Sequence, residues 1–128
     1  MEKITHKNTL IAIRLKRLKY GANPLTEPNE SLQVLAHKRQ AGKKTPAHFH
    51  LPRRRVTQTL QECLVVIKGK IKIDLYGTHK KKFKSIYLSA GDVVIFMGGG
   101  HAVHILEDTE IIEVKNGPFV EDKVMIEL

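Results

Sequence analysis

The stretch from Gly42 to Gly69, GKKTPAHFHLPRRRVTQTLQECLVVIKG, gathers the side chains of this chain best suited to chemistry. His48 and His50 stand one residue apart, and Glu62 follows at the head of an apolar run that ends at Gly69. Successive side chains of a β-strand point to opposite faces, so on a strand His48 and His50 share a face and Phe49 points away. Two imidazoles on one strand, joined by a carboxylate from the next, are three donors converging on a metal ion. A second segment, GDVVIFMGGGHAVH from Gly91 to His104, brings further histidines after another apolar stretch. The pattern predicts a metal site inside a β-structure.

Blander readings apply to the same residues. A histidine pair on a strand can be ordinary surface or core histidine. Glu62 could be a buried carboxylate paired with Arg55, because a charge removed from water demands such a partner. Cys63 should face the other way from Glu62 and behave as a buried thiol. His6, His37 and His79 lie among charged residues and read as surface positions. Gly98 to Gly100 reads as a tight turn, since no helix follows to supply a dipole for a phosphate.

The elements that must position these residues are short strands. Thr9 to Leu15 is β-branched and apolar and reads as the first strand, with a helix as the competitor because Leu, Arg and Lys continue to Lys19. Gly21 to Glu30 holds two prolines and several turn residues, which predicts a loop. In Ser31 to Gln40, Leu32, Val34 and Ala36 alternate with Gln33, Leu35 and His37, which favours a strand. Next come the His48–His50 strand and a basic excursion through Pro52 and Arg53 to Arg55. Glu62 to Lys68 is apolar on both faces, as a doubly buried strand should be. Gly69 punctuates a hairpin into Lys70 to Tyr76, where Ile71, Ile73 and Leu75 point inward and Lys70, Lys72 and Asp74 outward. Strands are also expected over Phe83 to Leu88, Val93 to Phe96, His101 to Leu106 and Thr109 to Lys115, with Phe119 to Leu128 as an edge strand or packed tail. Nine or ten short strands without a long helix are the pattern of an all-β sandwich or barrel.

A chain of 128 residues, 41% of them hydrophobic, is the size of one domain and can bury a core. It is expected to fold as a single domain over 1–128, with 1–30 as N-terminal strand and loop, 31–115 as the core and 116–128 as the tail. No apolar run reaches the ~20 residues needed to cross a bilayer, and the N-terminus does not read as a secretory signal. The single cysteine fits a reducing compartment, so a cytoplasmic protein without a membrane partner is expected. The net charge of +9 is uneven: residues 1–100 carry 20 Lys/Arg against 6 Asp/Glu, and residues 101–128 carry 2 against 7. The first part is therefore +14 and the last −5. Basic clusters at Arg14 to Lys19, Arg53 to Arg55 and His79 to Lys84 could attract nucleic acid or phosphorylated small molecules. Aromatic residues are few and not interleaved with them, which argues against nucleic acid as a partner.

The order of these motifs resembles the cupin superfamily. Gly42, His48-x-His50, Glu62 and Gly69 look like the first cupin motif, and Gly91, Gly99 and a following histidine resemble the second. The resemblance runs from about Ser31 to Lys115. There are three departures: the eleven residues between His50 and Glu62 exceed the usual spacing, Met97 replaces the usual proline, and the step from Gly99 to His101 is one residue short. The layout, including PRRRVTQTLQE and LEDTEIIEVKNGP, is similar to small bacterial cupins associated with surface-polysaccharide sugar pathways. The resemblance implies a cupin-type β-barrel, that is, a double-stranded β-helix or jelly roll. It also implies His48, His50, Glu62 and His101 as ligands of one divalent metal, whether Fe, Mn, Ni, Co or Zn. His104 competes with His101 for the fourth place, and the two would face opposite ways on one strand. Three histidines and a glutamate leave one or two positions for water or substrate.

Three functional readings follow. The first is a metal-dependent enzyme acting on a small polar molecule such as a sugar or nucleotide-sugar, with Arg53, Arg54 and Arg55 as substrate-binding residues for a phosphate or carboxylate. An iron-dependent dioxygenase belongs to the same class. Catalytic residues are not assigned, although Glu62, His104 and Tyr87 are of the right type to act as a base. The second is a non-catalytic module that binds or senses a small ligand. The third is a binder of nucleic acid or anionic surfaces with steep salt dependence. Cupins often pair through edge strands and an exposed β-edge needs covering, so a homodimer is expected.

Overall fold

A computed structural model describes residues 1–127. Among these residues there are ten strands and no helix: β1 (Glu2–His6), β2 (Thr9–Leu15), β3 (Gly21–Pro24), β4 (Leu35–Lys38), β5 (Glu62–Lys68), β6 (Lys70–Tyr76), β7 (Lys82–Ser89), β8 (Val93–Phe96), β9 (Gly100–Ile105) and β10 (Glu110–Lys115). They form three antiparallel sheets, ordered β1-β2-β8-β5-β10, β7-β6-β9 and β3-β4. The all-β expectation is met. Among the described residues no helix is long and apolar enough to cross a membrane.

The five-stranded and three-stranded sheets pack face to face. Alternation sets which residues meet: Leu64 and Val66 of β5, Val94 and Phe96 of β8 and Ala12 of β2 lie against Ile71, Ile73 and Leu75 of β6 and Ile86 and Leu88 of β7. The opposite parity of the five-stranded sheet points to a second apolar layer. There Ile13, Leu15, Cys63 and Ile95 are covered by Leu25 and Leu32, with Val34 and Ala36 alongside. Cys63 thus faces away from Leu64 and Val66, and burial raises its thiol pKa. Ile67, expected to be buried, is exposed on this outer face together with Ile112 and Val114.

Several local expectations are corrected. Gly69 does not close a hairpin, because β5 and β6 belong to different sheets. It turns a corner between them with φ +96°, and an added Cβ would run into the backbone and side chain of Thr109. Of Ser31–Gln40 only β4 is a strand, although Leu32 is buried and Gln33 and Leu35 are exposed as the alternation predicts. Asp74 is not solvent-facing. It keeps the expected outward parity, opposite to Ile73 and Leu75, but is only 6% exposed, because Ser85 across from it on β7 and His104 diagonal to it on β9 cover and satisfy the carboxylate. Of the two alternatives for Phe119 to Leu128, the edge strand is excluded over the described part, Phe119 to Glu127, which runs as a tail along the cavity described below; Leu128 lies outside the described residues.

The largest correction concerns His48 and His50. Residues 39–61 contain no strand, and every residue from His37 to Leu60 is exposed. Pro46 and Pro52 bracket the histidines and donate no backbone hydrogen bond. A strand also needs a partner ladder, and among the described residues no strand pairs with this segment. His48 Nδ1 is 2.8 Å from the Pro46 carbonyl oxygen, a purely local contact. This segment is an exposed arm.

Candidate functional site

Glu62 opens β5, opposite Phe96 of β8 and Lys115 of β10. It has the same parity as Leu64 and Val66, so its carboxylate lies at one end of the layer between the two large sheets. His101 comes from the other sheet, where it sits opposite Leu75 of β6. Phe96 joins the two: it pairs with Glu62 in the ladder, and its ring stacks on His101 at 3.7 Å between centroids and 3° between planes. The Glu62 carboxylate Oε2 and His101 Nε2 are 3.3 Å apart. A left-handed Gly99, φ +65°, lets the chain turn tightly over Tyr76 into β9.

The pair borders a cavity of about 1030 Å³. Tyr76, Ala102 and Lys115 line it from the sheets, Thr57 and Leu60 from the root of the arm, and residues 117–126 from the tail. Burial pushes the His101 imidazole below its ordinary pKa, against the pull of the Glu62 and Glu113 carboxylates, and the charge of Lys123 adds to the lowering. His101 therefore favours its neutral form. A neutral imidazole beside a carboxylate can take or pass on a proton, or offer two donors to a cation.

Of the four expected ligands, the structure brings together Glu62 and His101. His48 and His50 sit on the arm, ring centroids 5.1 Å apart, outside the cavity lining. Among the described residues no group of three His, Cys, Asp or Glu side chains could hold a metal ion. Within a single chain the residues therefore do not fit a complete metal site. Arg53, Arg54 and Arg55 are likewise on the exposed arm, where Arg55 donates to the Arg53 carbonyl oxygen and not to Glu62. The cations that line the cavity are Lys115 and Lys123.

His104 faces away from His101, as residues three apart on a strand must. Its Nε2 lies 2.7 Å from Asp74 Oδ2, while Ser85 Oγ donates to Asp74 Oδ1 at 2.6 Å and Lys72 and Lys82 stand within 4 Å. The Ser85 bond leads, with help from His104 and the lysines, in holding the Asp74 carboxyl at about 2 against the opposing effect of burial. Tyr87 is half exposed on β7, and Lys70 lies 5.9 Å from its ring centroid. His6 is not a free surface group; it stacks on Phe83 at 4.4 Å.

Sequence reasoning missed Tyr76, Lys115 and the tail. The alternation of β6 and the Asn116-Gly117-Pro118 turn located their elements, but nothing local says that the tail lies over the pair. No family model, curated protein or solved structure matches the chain.

Proposed function

We propose that this protein is a cupin that binds a small polar molecule, sugar-like or carrying a phosphate, in the cleft at Glu62 and His101, and acts on it as a metal-dependent enzyme. The observation that carries the reading is the Glu62–His101 pair, supplied by two facing sheets and opening on a cavity of about 1030 Å³. A cavity of that size accommodates a nucleotide-sugar. Its lining is acidic on balance, with Glu62, Glu121 and Asp122 against Lys115 and Lys123, which suits the hydroxyls of a sugar better than a phosphate, and Tyr76 and Asn116 offer further hydrogen bonds to hydroxyls. The jelly-roll assignment draws support from the two facing antiparallel sheets and from the order of the sequence motifs.

The chemistry that these residues offer by themselves is proton transfer. His101, kept neutral by burial, is the acceptor, and the Glu62 carboxylate orients its ring and stabilises the imidazolium formed. Glu62 and His101 are also the pair of donors that the sandwich would contribute to a divalent metal. A second reading, a binder without turnover, is favoured by the shortage of donors within one chain.

Elemental analysis of tag-free protein, paired with calorimetric titration of nucleoside diphosphate sugars and sugar phosphates, tests the proposal. A stoichiometric transition metal and a sugar ligand are expected, with metal lost in Glu62→Gln and ligand affinity reduced at least about tenfold in His101→Ala. Metal-free protein after reconstitution, with no sugar ligand bound, would overturn it. Binding without conversion of any bound sugar would select the second reading.

A further inference from the structure

The chain carries a basic surface that the cleft does not use. From Lys3 to Gln61 there are 13 Lys/Arg against 2 Asp/Glu, and the two are Glu27 and Glu30. Glu30 accepts from Gln61 Nε2 at 2.7 Å, so it is committed inside the fold. Of the cations, Arg14 pairs with Glu2 and Lys16 with Asp92. Among the described residues Arg17, Lys19, Lys38, Arg39 and Lys43 pair with no carboxylate.

The fold gathers part of this charge around an exposed ring. β3 and β4 pair with Gly21 opposite Lys38, which sets Tyr20, the residue before β3, beside the residues that leave β4. Tyr20 is 64% exposed, and Lys38 Nζ stands 4.4 Å from its ring centroid. Tyr20, Gly21, Lys38, Arg39, Gln40 and Lys43 line a shallow cavity of about 230 Å³, and no acidic residue is among them. This cavity shares no residue with the cleft at Glu62 and His101, whose lining is acidic on balance. Most aromatic residues stand apart from the basic clusters in sequence. The pairing of β3 with β4 nevertheless brings Lys38, Arg39 and Lys43 to a ring that lies 18 to 23 residues before them.

An exposed ring among uncompensated cations suits a ligand in which phosphates and flat bases alternate. The cations attract the phosphates, and the ring stacks on a base that is not already stacked inside a duplex. A free phosphate or an anionic membrane surface would use the cations and leave the ring idle. The arm extends the same chemistry. Phe49 is 84% exposed, with Lys43 and Lys44 before it and Arg53 to Arg55 after it. It follows Lys38 by 11 residues, a span of at most about 40 Å, so one strand can meet both rings.

We propose that the surface formed by Tyr20, Lys38, Arg39 and Lys43, extended by Phe49 on the arm, binds a single-stranded polynucleotide. Its phosphates run along the lysines and arginines, and its bases stack on the two rings. With no helix among the described residues to enter a groove and read base edges, binding has little sequence preference. The inference is independent of what the cleft binds.

Fluorescence anisotropy of labelled oligouridylate and oligothymidylate dodecamers tests this on the full chain, between about 50 and 200 mM salt. Binding of either strand is expected, the tighter one showing whether RNA or DNA is the source, and affinity should fall steeply with salt. Tyr20→Ala and Phe49→Ala should each weaken binding roughly tenfold at an unchanged salt slope, while Tyr20→Phe keeps the ring and should bind as wild type does. Lys38→Gln combined with Arg39→Gln should make the slope shallower by about 1.4, since each phosphate contact on a single strand contributes about 0.7. Lys84→Gln, an exposed lysine on β7, should leave affinity within about twofold. All of these positions are exposed, and circular dichroism checks that each variant keeps its fold. A duplex of equal length, or a phosphatidylserine vesicle, held as tightly as the single strand would overturn the proposal, because charge alone would then account for binding. No binding at about 50 mM salt, or ring variants that bind like wild type, would overturn it as well.

Discussion

Replacing Gln61 by leucine should destabilise the protein by about 3 kcal/mol, although the change adds apolar character to a residue only 3% exposed. The Gln61 amide ties three parts of the chain together just before Glu62. Its Oε1 accepts from Leu32 N at 3.0 Å, and its Nε2 donates to Glu30 Oε2 at 2.7 Å and, more weakly, to the Met97 carbonyl oxygen at 3.4 Å. Leucine keeps the volume and removes every partner. The buried Leu32 N–H is left unsatisfied, at a cost of about 1–3 kcal/mol, and the bond to the Glu30 carboxylate contributes roughly 1.5 kcal/mol more. For a chain of this size the sum lowers Tm by roughly 10–15 °C. Urea unfolding followed by circular dichroism measures it, with Gln58→Leu, exposed on the same segment, as a control that should stay within about 0.5 kcal/mol. A loss below about 1 kcal/mol in Gln61→Leu, at unchanged m-value, would refute the view that this amide fixes the segment leading into Glu62.

Two further tests probe the frame around the site. Gly69→Ala should cost more than the ~1 kcal/mol of an ordinary left-handed glycine, because its Cβ would collide with Thr109 backbone and side chain; thermal unfolding checks this, and a neutral effect would deny the tight corner. Asp74, held at about 2 against an ordinary 3.8, contributes stability that is fully present above about pH 4 and is lost as pH falls toward 2. Ser85→Ala removes the leading cause, so its acid-unfolding limb should move to higher pH, and an unmoved limb would show that the hydroxyl does not hold the carboxylate.

Much of the fold was legible where strand periodicity is strong. Thr9–Leu15, Glu62–Lys68, Lys70–Tyr76 and Val93–Phe96 are strands with the bounds that their patterns suggest, because β-branched and apolar runs punctuated by glycine leave few alternatives. Polar runs were less legible. β1, EKITH, is half charged and holds as a strand because β2 gives it a full antiparallel ladder. Asp74 reads as solvent-facing by alternation, and the reason it is buried lies in Ser85 and His104, eleven and thirty residues away on adjacent strands. Local pattern carries no information about cross-strand partners.

The same distinction divides the four expected donors. Glu62 and His101 are held by ladders: β5 runs against β8 and β10, β9 against β6, and Phe96 belongs to the first sheet while stacking on the imidazole of the second. A one-residue slip of β9 would replace His101 with Gly100 or Ala102 at the inner position, so the buried face of β6 enforces the register that brings the pair together. His48 and His50 obey the same period of two, yet a period fixes a face only once a strand has a neighbour. Their chain supplies no neighbour between Arg39 and Gln61. The HxH spacing therefore fixes a face only where a neighbouring strand exists, whereas the ladders of β5 and β9 hold Glu62 and His101 whatever their local pattern.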